Sequence, residues 1–142
     1  MDFSFTEEQT LLRNSVQKFV QNDYTFDNRR AIAKSDTGWS KKNWSTFAEL
    51  GLLGAPFAED FGGLGGGPIE TMIIMEEFGR GLVIEPFLGT VVLGGGFLRH
   101  GGTKAQKEKF LPRLAKGAIS AFALTEPSVG SDPACTPRGG GL

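Results

Sequence analysis

Residues 122–132, FALTEPSVGSD, place hydroxyl and carboxylate side chains directly behind an apolar run. The run, residues 119–124, is short and bounded by glycine and proline, which predicts a buried β-strand. Behind it, Thr125 and Ser131 supply hydroxyls, and Gly130 lets backbone amides approach a ligand. Such a strand exit suits a ligand that offers carbonyl and phosphate oxygens. The alternative is an ordinary polar turn, which the residue types alone favour.

The chain before this stretch carries repeated helix signals. Thr6 followed by Gln9 is a capping box, and apolar residues then recur at helical spacing. Ser40 and Thr103 stand where they would cap later helices. Five or six helices are predicted between residues 6 and 116: 6–22, a weaker one around 28–32, 40–51, 68–78, 86–99 and 103–111, with Pro112 starting a short turn that ends at Gly117.

Two of these helices have unusual composition. The helix from Pro68 to Phe78 is apolar nearly all round, which predicts a position in the core. Residues 94–96 are glycines that either break the helix 86–99 or let a neighbouring backbone or ligand come close. The predicted core contains Leu12, Phe19, Trp44, Met72, Ile73 and Leu111.

Composition excludes several classes of function. The 142 residues carry 15 Lys and Arg against 16 Asp and Glu, a formal net charge of −1, so we expect neither nucleic-acid binding nor membrane association. The most apolar window, residues 82–98, is too short and too interrupted to span a bilayer. The single cysteine, Cys135, cannot form an intrachain disulfide, which suits a cytoplasmic location.

Other candidate motifs are weak. The glycine-rich residues 62–67 lack the preceding strand of a dinucleotide-binding motif and predict a flexible loop between helices. His100, the single histidine, has no neighbouring ligand residues, so no metal site is expected, and it is predicted to end a helix. Glu76 and Glu77 are adjacent and should point apart on a helix instead of sharing a substrate.

Five segments, in the correct order, resemble the N-terminal portion of flavin-dependent acyl-CoA dehydrogenases. They are FTEEQ, ELGLLGAPFAEDFGGLGG, MEEFGRG, GGTKAQKEKFLPRLAKG and ALTEPSVGSD. The resemblance implies a mainly α fold, in which an up-and-down helical domain, residues 1–117, precedes the first strand of an incomplete middle β-domain, residues 118–142. It also implies FAD as cofactor, an acyl-CoA substrate, and a homo- or hetero-oligomer.

The resemblance also implies roles for the residues of the opening stretch. A base removes the α-proton of the acyl-CoA while a hydride passes from the β-carbon to the flavin. Thr125 would bond the pyrimidine end of the flavin, and Ser131 would lie by the FAD pyrophosphate and the CoA arm of the substrate. The residues that would line the cofactor are Phe122, Ala123, Leu124, Thr125, Glu126, Pro127, Ser128, Val129, Gly130 and Ser131.

The chain also departs from the family pattern. The family's catalytic carboxylate lies in a C-terminal helical domain, so we expect a truncated member with no catalytic residue of its own and no turnover alone. After Asp132, PACTPRGGGL replaces the strand that the family continues into. The alternative function is a non-catalytic helical interaction module or subunit that retains the fold.

Overall fold

The computed structural model describes residues 4–123, which are mainly helical as predicted. Two 3-10 turns lie between the third and fourth α-helices, and a π-helical segment precedes and runs directly into the fifth. The α-helices are α1 (Glu7–Asp23), α2 (Phe26–Ala33), α3 (Lys41–Glu49), α4 (Pro68–Gly81), α5 (Gly96–Gly101) and α6 (Lys104–Ala115); the 3-10 turns are Leu52–Gly54 and Glu59–Phe61, and the π-helical segment is Leu88–Gly95.

The predicted caps are confirmed. Thr6 accepts a hydrogen bond from the amide of Gln9, whose side chain bonds back to the Thr6 amide. Thr103 forms the same box with Gln106 at the start of α6, and Ser40 caps α3. These side chains occupy amide groups that the helix itself leaves without partners.

An aromatic chain forms the centre of the core. Phe47 contacts Phe19 edge to face at 5.2 Å and stacks on Phe78 at 4.7 Å between ring centroids, and Phe78 meets Phe87 at 5.2 Å. The four rings come from α1, α3, α4 and the residue before the π-helical segment, so they join the N-terminal half of the fold to its C-terminal half. Helix α1 packs along α4, and α6 packs against α5 and the first 3-10 turn.

The core prediction is correct except at Met72. Phe19, Trp44, Ile73 and Leu111 are buried, and Leu12 is partly buried against the same cluster. Met72 is 50% exposed, because α4 packs on α1 through only one of its faces. The outward face of α4 instead borders an apolar groove of about 340 Å³ between α4 and the π-helical segment.

Three predicted local features differ in the structure. Pro112 lies inside α6 and does not end it, since burial of Leu111 and Leu114 on either side stabilises the last turn. Such burial contributes about 1.5–3 kcal/mol per leucine, against about 3 kcal/mol for an interior proline. Residues 62–67 form a loop, as predicted, but the sequence predicts a flexible one. In the structure, four of its amides donate hydrogen bonds to carbonyls of residues 54–58.

The predicted buried strand is the third difference. Residues 119–123 form neither a strand nor a helix, and Ile119 is 49% exposed. A strand requires a neighbouring strand, and residues 4–123 contain none. Leu124, the last residue of the predicted strand, lies outside the described residues.

None of the helices in residues 4–123 has the length and apolar character that a bilayer span requires.

Candidate functional site

The candidate site begins where the chain leaves α6. Gly117 has a φ of +100°, a conformation that favours glycine, and it turns the chain away from the helix axis. The indole N–H of the buried Trp44 donates a hydrogen bond of 2.8 Å to the Gly117 carbonyl. The start of the segment that leads to residues 122–132 is therefore fixed to the aromatic core.

A second attachment lies three residues later. The Thr90 hydroxyl donates to the Ser120 carbonyl at 3.1 Å and accepts from the Ser120 amide at 3.3 Å. The Ser120 hydroxyl donates to the Thr90 carbonyl at 3.2 Å. We call these three bonds the Thr90–Ser120 contact; they join the π-helical segment to the chain entering the candidate site.

Gly94 allows this close approach, and Gly95 allows a second one by Phe57. A Cβ at Gly94 would collide with the hydroxyl of Ser120, and a Cβ at Gly95 would lie 2.6 Å from Phe57 Cζ. The helix is not broken: the π-helical segment passes directly into α5 with Gly95 and Gly96 in helical conformation. Of the two alternatives for this run, close approach of neighbouring chain is the one observed.

The segment ends in an exposed aromatic pair. Phe122 lies 5.4 Å from Phe97 of α5 between ring centroids, and the two side chains are 39% and 61% exposed. Ala123 is exposed beside them. Phe122 and Ala123 are the only two predicted cofactor-binding residues among those the structure describes. The other eight, Leu124 to Ser131, lie outside that range.

Sequence reasoning missed Thr90, Ser120 and Phe97. One signal was present, since Thr90 is a single hydroxyl among the apolar residues from Phe87 to Leu93. A threonine that is 0% exposed requires hydrogen-bond partners, but its partner lies 30 residues away in sequence.

The adjacent glutamates of α4 point apart, as predicted. Glu77 is buried, with 1% of its side chain exposed, and pairs with Arg13 of α1 at 3.2 Å and with Arg80 at 3.5 Å. Glu76 is exposed and pairs with Arg80 at 2.6 Å. The hydrogen bond from Arg80 lowers the pKa of Glu76. Glu77 thus joins α1 to α4 and has no open side from which to receive a substrate proton.

A buried polar cluster precedes the π-helical segment. Asn43 donates to Glu85 Oε1 at 3.0 Å, and the Tyr24 hydroxyl accepts from the amide of Ile84 at 3.0 Å. Burial raises the pKa of Tyr24 to about 12, and the charge of nearby Glu85 adds to the shift. Glu85 Oε2 is buried without a hydrogen-bond partner among the described residues. This cluster joins the end of α1, helix α3 and the residues that precede the π-helical segment.

His100 lies in the last turn of α5, as predicted. Within residues 4–123, no group of three or more His, Cys, Asp or Glu residues has the arrangement of a metal site.

Comparison with known proteins places these features in a family context. Residues 6–118 match the model of the acyl-CoA dehydrogenase N-terminal domain. The chain is 36% identical over 137 residues to the NADH-dependent acryloyl-CoA reductase of Anaerotignum propionicum, covering 93% of this chain and 34% of that protein. It is 32% identical over 140 residues to the short-chain specific acyl-CoA dehydrogenase of Clostridium acetobutylicum, covering 93% and 35%.

The fold is similar to that of solved members. The structure of an acyl-CoA dehydrogenase complexed with FAD from Bacillus anthracis aligns with a TM-score of 0.80 and 29% identity, covering 94% of this chain and 23% of that one. The chain spans about a third of the length of the two curated relatives named above.

Proposed function

Because the chain belongs to the acyl-CoA dehydrogenase family through its N-terminal domain, we propose that it forms the helical part of an FAD-dependent acyl-CoA dehydrogenase and supplies the first flavin-binding segment. The reaction is α,β-dehydrogenation of an acyl-CoA thioester. The observation that carries the proposal is the double attachment of residues 117–120, which directs the chain into the ALTEPSVGSD signature.

The described end of this segment fits a planar cofactor. Ala121, Phe122 and Ala123 are uncharged and exposed, and the ring of Phe122 contacts that of Phe97. An exposed apolar aromatic pair of this kind is suited to burial by a flat aromatic ring. No charged side chain among these residues would oppose a neutral isoalloxazine.

FAD, when bound, supplies the acceptor for the substrate hydride, and the chain orients that acceptor. In the proposal, residues 122–131 line the flavin, Thr125 donates to a carbonyl at its pyrimidine end, and Ser131 lies near the pyrophosphate and the CoA arm. A hydroxyl donor at the pyrimidine end would stabilise negative charge that develops there. A domain boundary near residue 117 would coincide with the turn at Gly117.

The proposed reaction also needs a base, which this chain is not proposed to supply. The two buried carboxylates of the described part, Glu77 and Glu85, are held by Arg13 and Asn43 within the helical domain. The base, the remaining FAD contacts and any oligomer contacts would come from polypeptide beyond this domain. The competing function is a helical interaction module without flavin. Such a protein would be colourless, whereas a protein with bound flavin is yellow.

A chimera tests the proposal. The chain would replace the corresponding first third of the Clostridium acetobutylicum short-chain enzyme, which supplies the other domains. We expect a yellow protein with about one FAD per chain and dehydrogenase activity on an acyl-CoA. The matched control is the relative with its own first third. A folded chimera without flavin, beside a yellow control, would refute the proposal and favour the interaction module.

A further inference from the structure

The Thr90–Ser120 contact is unusual in its position. Thr90 is fully buried within the π-helical segment, where the neighbouring Val91, Gly94 and Gly95 are also buried. A buried hydroxyl without a hydrogen-bond partner lowers stability, and Ser120 supplies the partners of the Thr90 hydroxyl. π-helical turns are uncommon and occur frequently at functional sites.

The three bonds fix an orientation as well as a position. They involve the amide, the carbonyl and the hydroxyl of Ser120. One hydrogen bond would leave the residue free to rotate about it, whereas three bonds in different directions remove that freedom. Because Phe122 follows only two residues later, the direction of the backbone at Ser120 constrains the position of Phe122.

Gly94 completes the arrangement. It lies one turn after Thr90, and its Cα faces Ser120 so closely that an added Cβ would meet both Ser120 Oγ and, at 3.3 Å, Ser120 Cβ. The π-helical segment therefore offers Ser120 two neighbouring features. The Thr90 hydroxyl bonds its backbone, and the absence of a side chain at Gly94 leaves room for its own hydroxyl. On the next turn Phe97 supports Phe122.

We propose that Thr90 is a positioning residue for the flavin: through the Thr90–Ser120 contact it sets the course of residues 121–123, which lead into the stretch proposed to bind the flavin. This inference rests on the proposed function. Thr90 itself need not touch the cofactor. Its effect passes through Ser120 to Phe122 and Ala123.

A crossed pair of substitutions separates positioning from space filling. Thr90→Val keeps the volume and removes the hydroxyl, whereas Thr90→Ser keeps the hydroxyl and removes a methyl group. If Thr90 merely fills space, Val is the milder change; if it positions Ser120, Ser is the milder change. Thr46→Val is the matched control, since the Thr46 hydroxyl bonds only a carbonyl of its own helix, Lys42, at 3.1 Å.

The first measurement is amide hydrogen exchange at residues 118–123 in the 142-residue chain. We expect Thr90→Val to accelerate exchange at Ser120 by about tenfold or more, because its amide loses its acceptor, with smaller increases toward Ala123. Thr90→Ser and Thr46→Val should leave exchange there near the wild-type rate. Unchanged exchange at Ser120 in Thr90→Val would overturn the inference.

The second measurement is the dissociation constant for FAD of the apo-chimera described above. We expect Thr90→Val to weaken FAD binding by about five- to tenfold and Thr90→Ser by less than twofold. Equal affinities for the two variants, or weaker binding by Thr90→Ser, would overturn the positioning role. A wild-type chimera that binds no FAD would refute the proposed function, whereas faster Ser120 exchange together with unchanged FAD affinity would refute this inference alone.

Discussion

Gly95 and Gly96 offer a sharp test of how the π-helical segment packs. Both have helical backbone angles, φ −64° and ψ −40° at Gly95 and φ −60° and ψ −44° at Gly96, so alanine strains neither backbone. Their surroundings differ. A Cβ at Gly95 would lie 2.6 Å from Cζ and 2.8 Å from Cε1 of Phe57, whereas a Cβ at Gly96 would meet nothing within 4 Å beyond its chain neighbours and its own helix backbone.

The two substitutions should therefore change stability in opposite directions. Alanine for glycine in a helix contributes about 0.5–1 kcal/mol to the free energy of unfolding, which is the whole expected effect of Gly96→Ala. At Gly95 the same gain is opposed by overpacking against the ring of Phe57, which is 0% exposed. Overpacking costs about 1–3 kcal/mol, and the short contacts favour the upper half of that range. We expect Gly95→Ala to lower the free energy of unfolding by about 1–2.5 kcal/mol.

Urea unfolding followed by circular dichroism at 222 nm measures both values. Gly96→Ala serves as the matched control, since it makes the same chemical change one residue away in the sequence. The two midpoints should lie on opposite sides of the wild-type midpoint, with similar dependence on urea. A Gly95→Ala protein as stable as Gly96→Ala would show that the close approach to Phe57 is wrong.

Three further outcomes are expected. Thr103→Ala should lower the free energy of unfolding by about 0.5–2 kcal/mol through loss of the α6 capping box, measured by urea unfolding. Tyr24, the single tyrosine of the chain, should ionise near pH 12 in absorbance at 295 nm. Because that folded pKa lies above the ordinary value of 10.0, the stability that Tyr24 contributes is fully present below pH 10 and is lost as pH rises toward 12; a folded protein whose tyrosine titrates near 10 would contradict its burial. If the base comes from outside this domain, as proposed, the 142-residue chain alone should reduce no electron acceptor with acyl-CoA, since removal of a general base costs about 10²–10⁴-fold in rate; sustained turnover would refute this.

Local chemistry made most of the helices predictable. Thr6, Ser40 and Thr103 cap helices through bonds to residues three positions away, so their neighbours in sequence suffice to identify them. The orientation of α4 was not predictable in the same way. A helix with apolar residues nearly all round carries no polar stripe to mark its outer face, and its sequence therefore predicts a core position for Met72.

Tertiary contacts decided the features that sequence reasoning missed. A proline is unfavourable inside a helix, yet burial of the neighbouring Leu111 and Leu114 keeps Pro112 within α6. The run 119–123 has the composition of a strand but no neighbouring strand among the described residues. The Thr90–Ser120 contact joins residues 30 apart in sequence, and only the glycines near it indicated that another part of the chain comes close.

The proposal that residues 122–131 bind the flavin is tested most directly at Thr125. In the chimera, Thr125→Val keeps the side-chain shape and removes the hydroxyl proposed to donate to the pyrimidine end. One hydrogen bond contributes about 0.5–1.5 kcal/mol, which corresponds to weaker FAD retention or, if the bond strengthens on reduction, to a two-electron potential lower by about 10–30 mV. The measurement is the FAD dissociation constant together with the flavin potential, with Thr46→Val as control. The account predicts a clear change in at least one of them for Thr125→Val and none for the control; normal FAD binding with unchanged potential and turnover in Thr125→Val would contradict it.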